Sequence, residues 1–314
     1  MKKPVKRMLM AVTALGAVLA VGLATTTVVN LVATNAESNR IESYGERVTV
    51  DGGQMNIQVT GTGGENLVLL PGFGTASPVL DFAPLVTNLA RDHRVVVVEP
   101  FGYGLSDGTD RPRTAENIAS EVHDALHVLD IDRYVLMGHS IAGIYALEYV
   151  ARYPEEVTAF VGIDTSAPGQ PNMDTQFPTA LLGVAKNLGL LRVANAVSTE
   201  SGPPYTDDAR EQMKMLSNRN SLTPTYLDEM ARIGANFENA RGATFPTQLP
   251  LLLFVEADNA KNPDWVGLHE RQAASVDDGT VITIPGTHYL HHTHATNMAK
   301  QFREWQAERV PPAQ

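Results

Sequence analysis

Five apolar runs constrain this chain more than any other feature: Leu67 to Leu70, Val95 to Val98, Tyr134 to Met137, Ala159 to Ile163 and Leu251 to Val255. Each is too short for a stable helix, and none alternates polar with apolar, so they read as strands buried on both faces. Only a mostly parallel sheet covered by helices on both sides buries strands in that way. Val281 to Ile284 adds a further strand. Near the start, Arg47 to Val50 and Met55 to Val59 flank a glycine-containing turn and read as a hairpin-like pair. The fold class is therefore α/β, and 314 residues accommodate one such domain plus an insertion.

The strand-helix rhythm stops between Asp164 and Pro250. Helical stretches are expected there near Thr179 to Val197, Asp207 to Ser217 and Thr223 to Asn239, with proline- and glycine-rich hinges at "SAPGQP" and "RGATFPTQLP". In the last stretch Tyr226, Leu227, Met230, Ile233 and Phe237 form one apolar stripe, the pattern of a helix packed on a core. The expected division is a targeting segment over residues 1–36, a first core part over 37–164, a helical lid over 165–249 and a second core part over 250–314.

The start of the chain has a separate character. "MKKPVKR" carries four positive charges, and no charged residue follows from Met8 through Ala36. The apolar stretch Met8 to Val32 reaches the roughly 20 residues needed to span a bilayer and exceeds the usual core of a cleavable signal. A retained anchor is expected, with the basic flank on the cytoplasmic side and the body on the outer side. Cleavage near Thr34-Asn35-Ala36, releasing a secreted body, is the alternative.

A formal charge of -11, with four of the positive charges in the first seven residues, excludes a nucleic-acid partner. Cysteine is absent, which excludes disulfides, a thiol nucleophile and cysteine-ligated metal. "GTGGEN" and "FGYGLSDG" are rich in glycine but match no phosphate-cradling pattern and read as turns.

The strand at Tyr134 ends in "GHSIAG", and helical spacing begins at Ile141. Ser140 thus sits on a strand-to-helix turn, in front of free backbone N–H groups and the positive end of a helix. A serine there serves as a cap or as a nucleophile. "LLPGFG" and "FGYGLSD" precede this turn and "GTHYLHH" follows it, each placed after an expected strand. Over roughly Val48 to Trp305, apart from the lid, this order resembles the α/β-hydrolase superfamily.

The resemblance implies Ser140 as nucleophile and His288, after the last strand, as its base. It implies the backbone amides of Phe73 and Ile141 as the oxyanion hole. For the acid it points to the loop after the strand before the last, hence Asp258, with Glu256 and Asp164 as alternatives. Here the sequence departs from the family, because Glu256 stands where a glycine commonly ends that strand. Pro71-Gly72 replaces the usual His-Gly and stiffens the loop, while Ala142 replaces a turn glycine and adds one methyl. His139 is expected to be structural.

No cofactor is implied. His288, His291, His292 and His294 raise a metal alternative, but no carboxylate or cysteine lies nearby at ligand spacing, so no metal site is assigned. The reading is a hydrolase acting on a small or lipid-like ester through an acyl-enzyme. Carbon-carbon bond hydrolysis, perhydrolysis and a catalytically silent binding module are the alternatives. A serine at position 140 argues against epoxide hydrolase or dehalogenase chemistry, for which the resemblance would require an aspartate.

Overall fold

Every expected strand forms, and all join one eight-stranded sheet in the order β1-β2-β4-β3-β5-β6-β7-β8. The computed structural model describes residues 3–197 and 205–309. Lys2 of the basic flank and residues 198–204 of the expected lid lie outside them.

In chain order the elements begin with helix α1 (Lys3–Ser38), strands β1 (Glu46–Val50), β2 (Gly53–Thr60) and β3 (Asn66–Leu70), short helices α2 (Pro78–Asp81) and α3 (Ala83–Leu89), and strand β4 (Arg94–Glu99). Then come α4 (Ala115–Val128), β5 (Tyr134–His139), α5 (Ala142–Arg152) and β6 (Val157–Ile163). The insertion follows as α6 (Thr179–Asn187), α7 (Leu190–Val197), α8 (Asp207–Asn220) and α9 (Pro224–Asn239). The chain ends with β7 (Leu251–Glu256), α10 (Trp265–Ala273), β8 (Gly279–Ile284), α11 (Leu290–Thr293) and α12 (Ala295–Ala307).

Side-chain alternation within the buried runs explains the layers. Val68, Leu70, Val96, Val98, Tyr134 and Leu136 face one side, where Ala119 and Val122 of α4 and Ala142 and Ala146 of α5 cover them. Leu67, Leu69, Val95, Val97, Val135 and Met137 face the other, beneath Leu85 and Leu89 of α3 and Met298 and Phe302 of α12. Strands β3 to β8 run parallel; β1 and β2 join antiparallel, β2 against β4. With helices on both sides, the continuous apolar runs are satisfied as the sequence required.

The stretch read as one helix over Thr179 to Val197 is two, α6 and α7, bent by 81° at Leu188-Gly189. The cause is local: Gly189 has φ +75°, and a Cβ there would meet the Thr26 carbonyl oxygen of α1 at 2.5 Å. The apolar stripe of α9 packs as expected, Ile233 and Phe237 burying themselves against Ile141 and Ile144. Helix α1 is long and apolar enough to cross a membrane, a character shared with signal sequences. Its last turns lean on the insertion: Arg192 donates to both carboxylate oxygens of Glu37, to Asn30 and to Thr34.

Candidate active site

Pairing between β5 and β6 sets the geometry of the site. His139 is in register with Ile163, so the next residue on each strand, Ser140 and Asp164, leaves the sheet at the same level. Both turn sharply there, with φ of +56° and +45°. That region costs a non-glycine residue about 1–2 kcal/mol. The turns are held by backbone bonds: Ser140 N–H donates to Ile163 O, Ser166 N–H to Ser140 O and Asp164 N–H to Phe254 O.

Small residues make the Ser140 turn possible. A Cβ on Gly138 would lie 3.0 Å from Ala142 Cβ, and one on Gly143 would meet Ser166 O at 2.4 Å. The close helix-strand approach therefore falls on Gly138 and Gly143, and Ala142 fits as a buried methyl, which explains the tolerated departure noted in the sequence. The loop Pro71-Gly72-Phe73 lies directly over this turn, since a Cβ on Gly72 would touch His139 Nδ1 at 2.8 Å and Ser140 Cβ at 3.0 Å. Among the described residues, neither the Phe73 nor the Ile141 amide N–H has a hydrogen-bond acceptor.

Asp164 is fully buried and saturated with donors. Its Oδ1 accepts from Trp265 Nε1 at 2.6 Å and from the Glu256 amide at 2.8 Å, while its Oδ2 lies 2.6 Å from His288 Nδ1. The sequence favoured Asp258 for this contact, and the structure corrects that placement. Asp258 is exposed in the turn beyond β7 and meets no imidazole. Because β7 continues through Glu256, the loop carries Asp258 away, whereas β6 ends beside β5 and delivers Asp164. Glu256 is occupied by Asn259 Nδ2 at 3.0 Å. Partial burial, then the Asp164 charge, pushes the Glu256 carboxyl up.

Behind His288 lies a second polar cluster that sequence reasoning missed. His139 Nε2 lies 3.1 Å from the His288 carbonyl oxygen and donates to it, a positioning role consistent with its expected structural part. Asp81, from α2, receives His291 Nε2 at 2.9 Å, His292 Nε2 at 2.8 Å and the Tyr205 hydroxyl at 3.1 Å. Burial opposes the Asp81 charge, but the two imidazole bonds overcome it and hold the carboxyl well below the usual carboxylate range. Burial also pushes His139 and His291 down, so both rings are neutral near pH 7. Donor atoms of Asp81, His139 and His291 come within 4.8 Å of one another. The carboxylate missing from the sequence neighbourhood of the histidine run is thus supplied 210 residues earlier. The Asp81 contacts have hydrogen-bond lengths rather than metal-ligand lengths.

The insertion forms the roof. Tyr226 of α9 stacks at a tilt on Phe73, ring centres 4.7 Å apart. Glu229, one turn on, accepts from both Tyr103 and Tyr145 hydroxyls at 2.8 Å.

A strand-turn-helix serine, an aspartate-bound histidine after the last strand and a mostly parallel covered sheet together define the α/β-hydrolase fold. Residues 67–301 match the alpha/beta hydrolase family, and the chain belongs to it. It is 31% identical over 137 residues to the Bacillus subtilis (strain 168) protein YbdG, covering 43% of this chain and 42% of that one. It is 36% identical over 119 residues to the Homo sapiens serine hydrolase BPHL, covering 37% of this chain and 40% of that one. The chain therefore spans less than half the length of these relatives. A solved Vigna radiata epoxide hydrolase mutant superposes with a TM-score of 0.65 at 16% identity, covering 84% of this chain and 98% of the other, a likeness of fold.

Proposed function

We propose that the chain is a serine hydrolase of carboxylic esters working through Ser140, His288 and Asp164. Ser140 Oγ attacks the acyl carbon and His288 takes its proton. The oxyanion is held by the amides of Phe73 and Ile141, and the leaving alcohol receives the proton from His288. Water then repeats the sequence, releasing the acid and restoring Ser140. Asp164 keeps Nδ1 protonated, leaving Nε2 free to act as base. The observation that carries this reading is the 2.6 Å contact of His288 Nδ1 with buried Asp164, one strand from a serine held at positive φ. The insertion acts as the lid, α9 lying on the Phe73 loop. Helix α1 acts as a retained anchor, with the basic flank cytoplasmic and the catalytic body outside, a location suited to lipid-like esters.

The test is fluorophosphonate labelling of the full chain with peptide mapping. A single adduct on Ser140, absent in Ser140→Ala and lost in His288→Ala, is expected. No adduct in folded wild type would overturn the hydrolase reading in favour of a ligand-binding module.

A further inference from the structure

Between residues 176 and 197 the only charges are Lys186 and Arg192, and both are drawn inward. Lys186 Nζ donates to the Asn218, Arg219 and Ser221 carbonyls at the end of α8, and Arg192 is engaged by Glu37. Beside the uncharged polar Gln176 and Asn187, the large side chains that remain outward are apolar: Phe177, Leu181 and Val184 on α6 and its approach, Leu190, Val193 and Val197 on α7, all exposed. Their three- and four-residue spacing makes them one stripe on each helix. Exposed apolar residues in such a row mark a contact surface rather than chance.

The contact with α1 says what covers it. The charge-free run of α1 begins at Met8, and at about 1.5 Å per residue roughly 20 residues fill the roughly 30 Å hydrocarbon layer, ending near residue 27. Gly189, the corner between α6 and α7, presses on the α1 backbone at Thr26. A helix long enough to span a bilayer therefore carries this corner at the height where hydrocarbon meets headgroups.

We infer that the outer face of α6 and α7 is seated in the outer leaflet of the membrane that α1 crosses, so that the roof of the site is part of a lipid-facing surface. This rests on α1 being a retained anchor. The occupant is the bilayer, continuous with the apolar surface of α1, rather than a second copy of the chain.

Because the chain has no cysteine, single substitutions Leu15→Cys, Val184→Cys, Leu190→Cys and Lys300→Cys each accept one environment-sensitive fluorophore. The labelled full chain is reconstituted into phosphatidylcholine vesicles with and without doxyl-labelled lipid, and its circular dichroism is compared with wild type. Expected is quenching of at least twofold at positions 15, 184 and 190, with none at 300. Quenching at 15 while 184 and 190 behave like 300 overturns the inference and leaves the anchor standing. No quenching at 15 overturns the anchor and, with it, the inference, whatever 184 and 190 show. Blue-shifted emission at 184 and 190 without lipid quenching assigns the face to a second copy and also overturns it.

Discussion

The floor and the roof of the candidate site are built on different principles. Ser140 and Asp164 are fixed by strand register, backbone bonds and complete burial of the acid. The insertion meets the floor through α9, whose Ile233 and Phe237 pack on α5 and whose Tyr226, Glu229 and Asn236 reach the neighbouring loops, while α6 and α7 turn apolar side chains away from the core. The floor therefore fixes where its polar side chains stand, and tolerates little movement. The roof, in the function and the membrane seating proposed above, would set where the chain sits and what reaches the serine.

The largest effect should come from the floor. Ser140→Ala is expected to lower ester turnover by about 10⁴-fold or more while leaving the melting temperature near wild type. Ser140→Gly sharpens the contrast. It relieves roughly 1–2 kcal/mol of positive-φ strain against roughly 0.5–1 kcal/mol of added chain entropy. An inactive protein at least as stable as wild type in denaturant titration is the expected result, and a clearly destabilised one would break the claim that the turn is strained for chemistry.

Next in size, Asp164→Asn is expected to cost about 10³- to 10⁴-fold in kcat by offering His288 the wrong hydrogen-bond partner. Asp258→Asn should stay within about twofold, since exposed surface changes away from a site are nearly neutral. Steady-state kinetics on both variants decides between the two carboxylates, and equal losses would sink the assignment to β6.

At the junction of floor and roof, Asp81→Asn should cost about 1–3 kcal/mol at pH 7, because His291, His292 and Tyr205 lose a charged acceptor. The pH dependence has a definite sign. The Asp81 carboxyl lies far lower in the folded chain than in the unfolded one, so its contribution is present in full above the unfolded value of roughly 4 and is lost progressively from there as pH falls through the much lower folded value. The gap between the melts of wild type and variant should begin to narrow as pH falls below about 4 and should still be open at about pH 3. A gap that stays constant would mean that Asp81 is not the titrating partner.

The smallest effect belongs to the roof. Tyr226→Leu removes the ring against Phe73 and is expected to raise KM severalfold with kcat changed less, at a stability cost of about 0.5–1.5 kcal/mol. A fall in kcat matching Ser140→Ala would erase the distinction between the two regions.

Most of the fold was legible because uninterrupted apolar runs have one solution, a covered parallel sheet, and all eight strands lie where periodicity put them. The positions of Ser140 and His288 were legible because turn glycines and chain order mark them. The acid was not, since the choice between Asp164 and Asp258 depends on strand neighbours rather than on sequence distance. The one available signal was Glu256 at the end of β7, which departs from the glycine expected there from the resemblance. The Asp81 cluster was invisible for the same reason, its members meeting across 210 residues. The break at Gly189 needed knowledge of α1, whose backbone lies against it.

Because the partner of His288 arrives from β6, the turn after β7, residues 257–264, presents no carboxylate to the imidazole. The turn instead spans the gap between two donors to that acid, the Glu256 amide just before it and the Trp265 indole just after it, so its length sets how both meet Asp164 Oδ1.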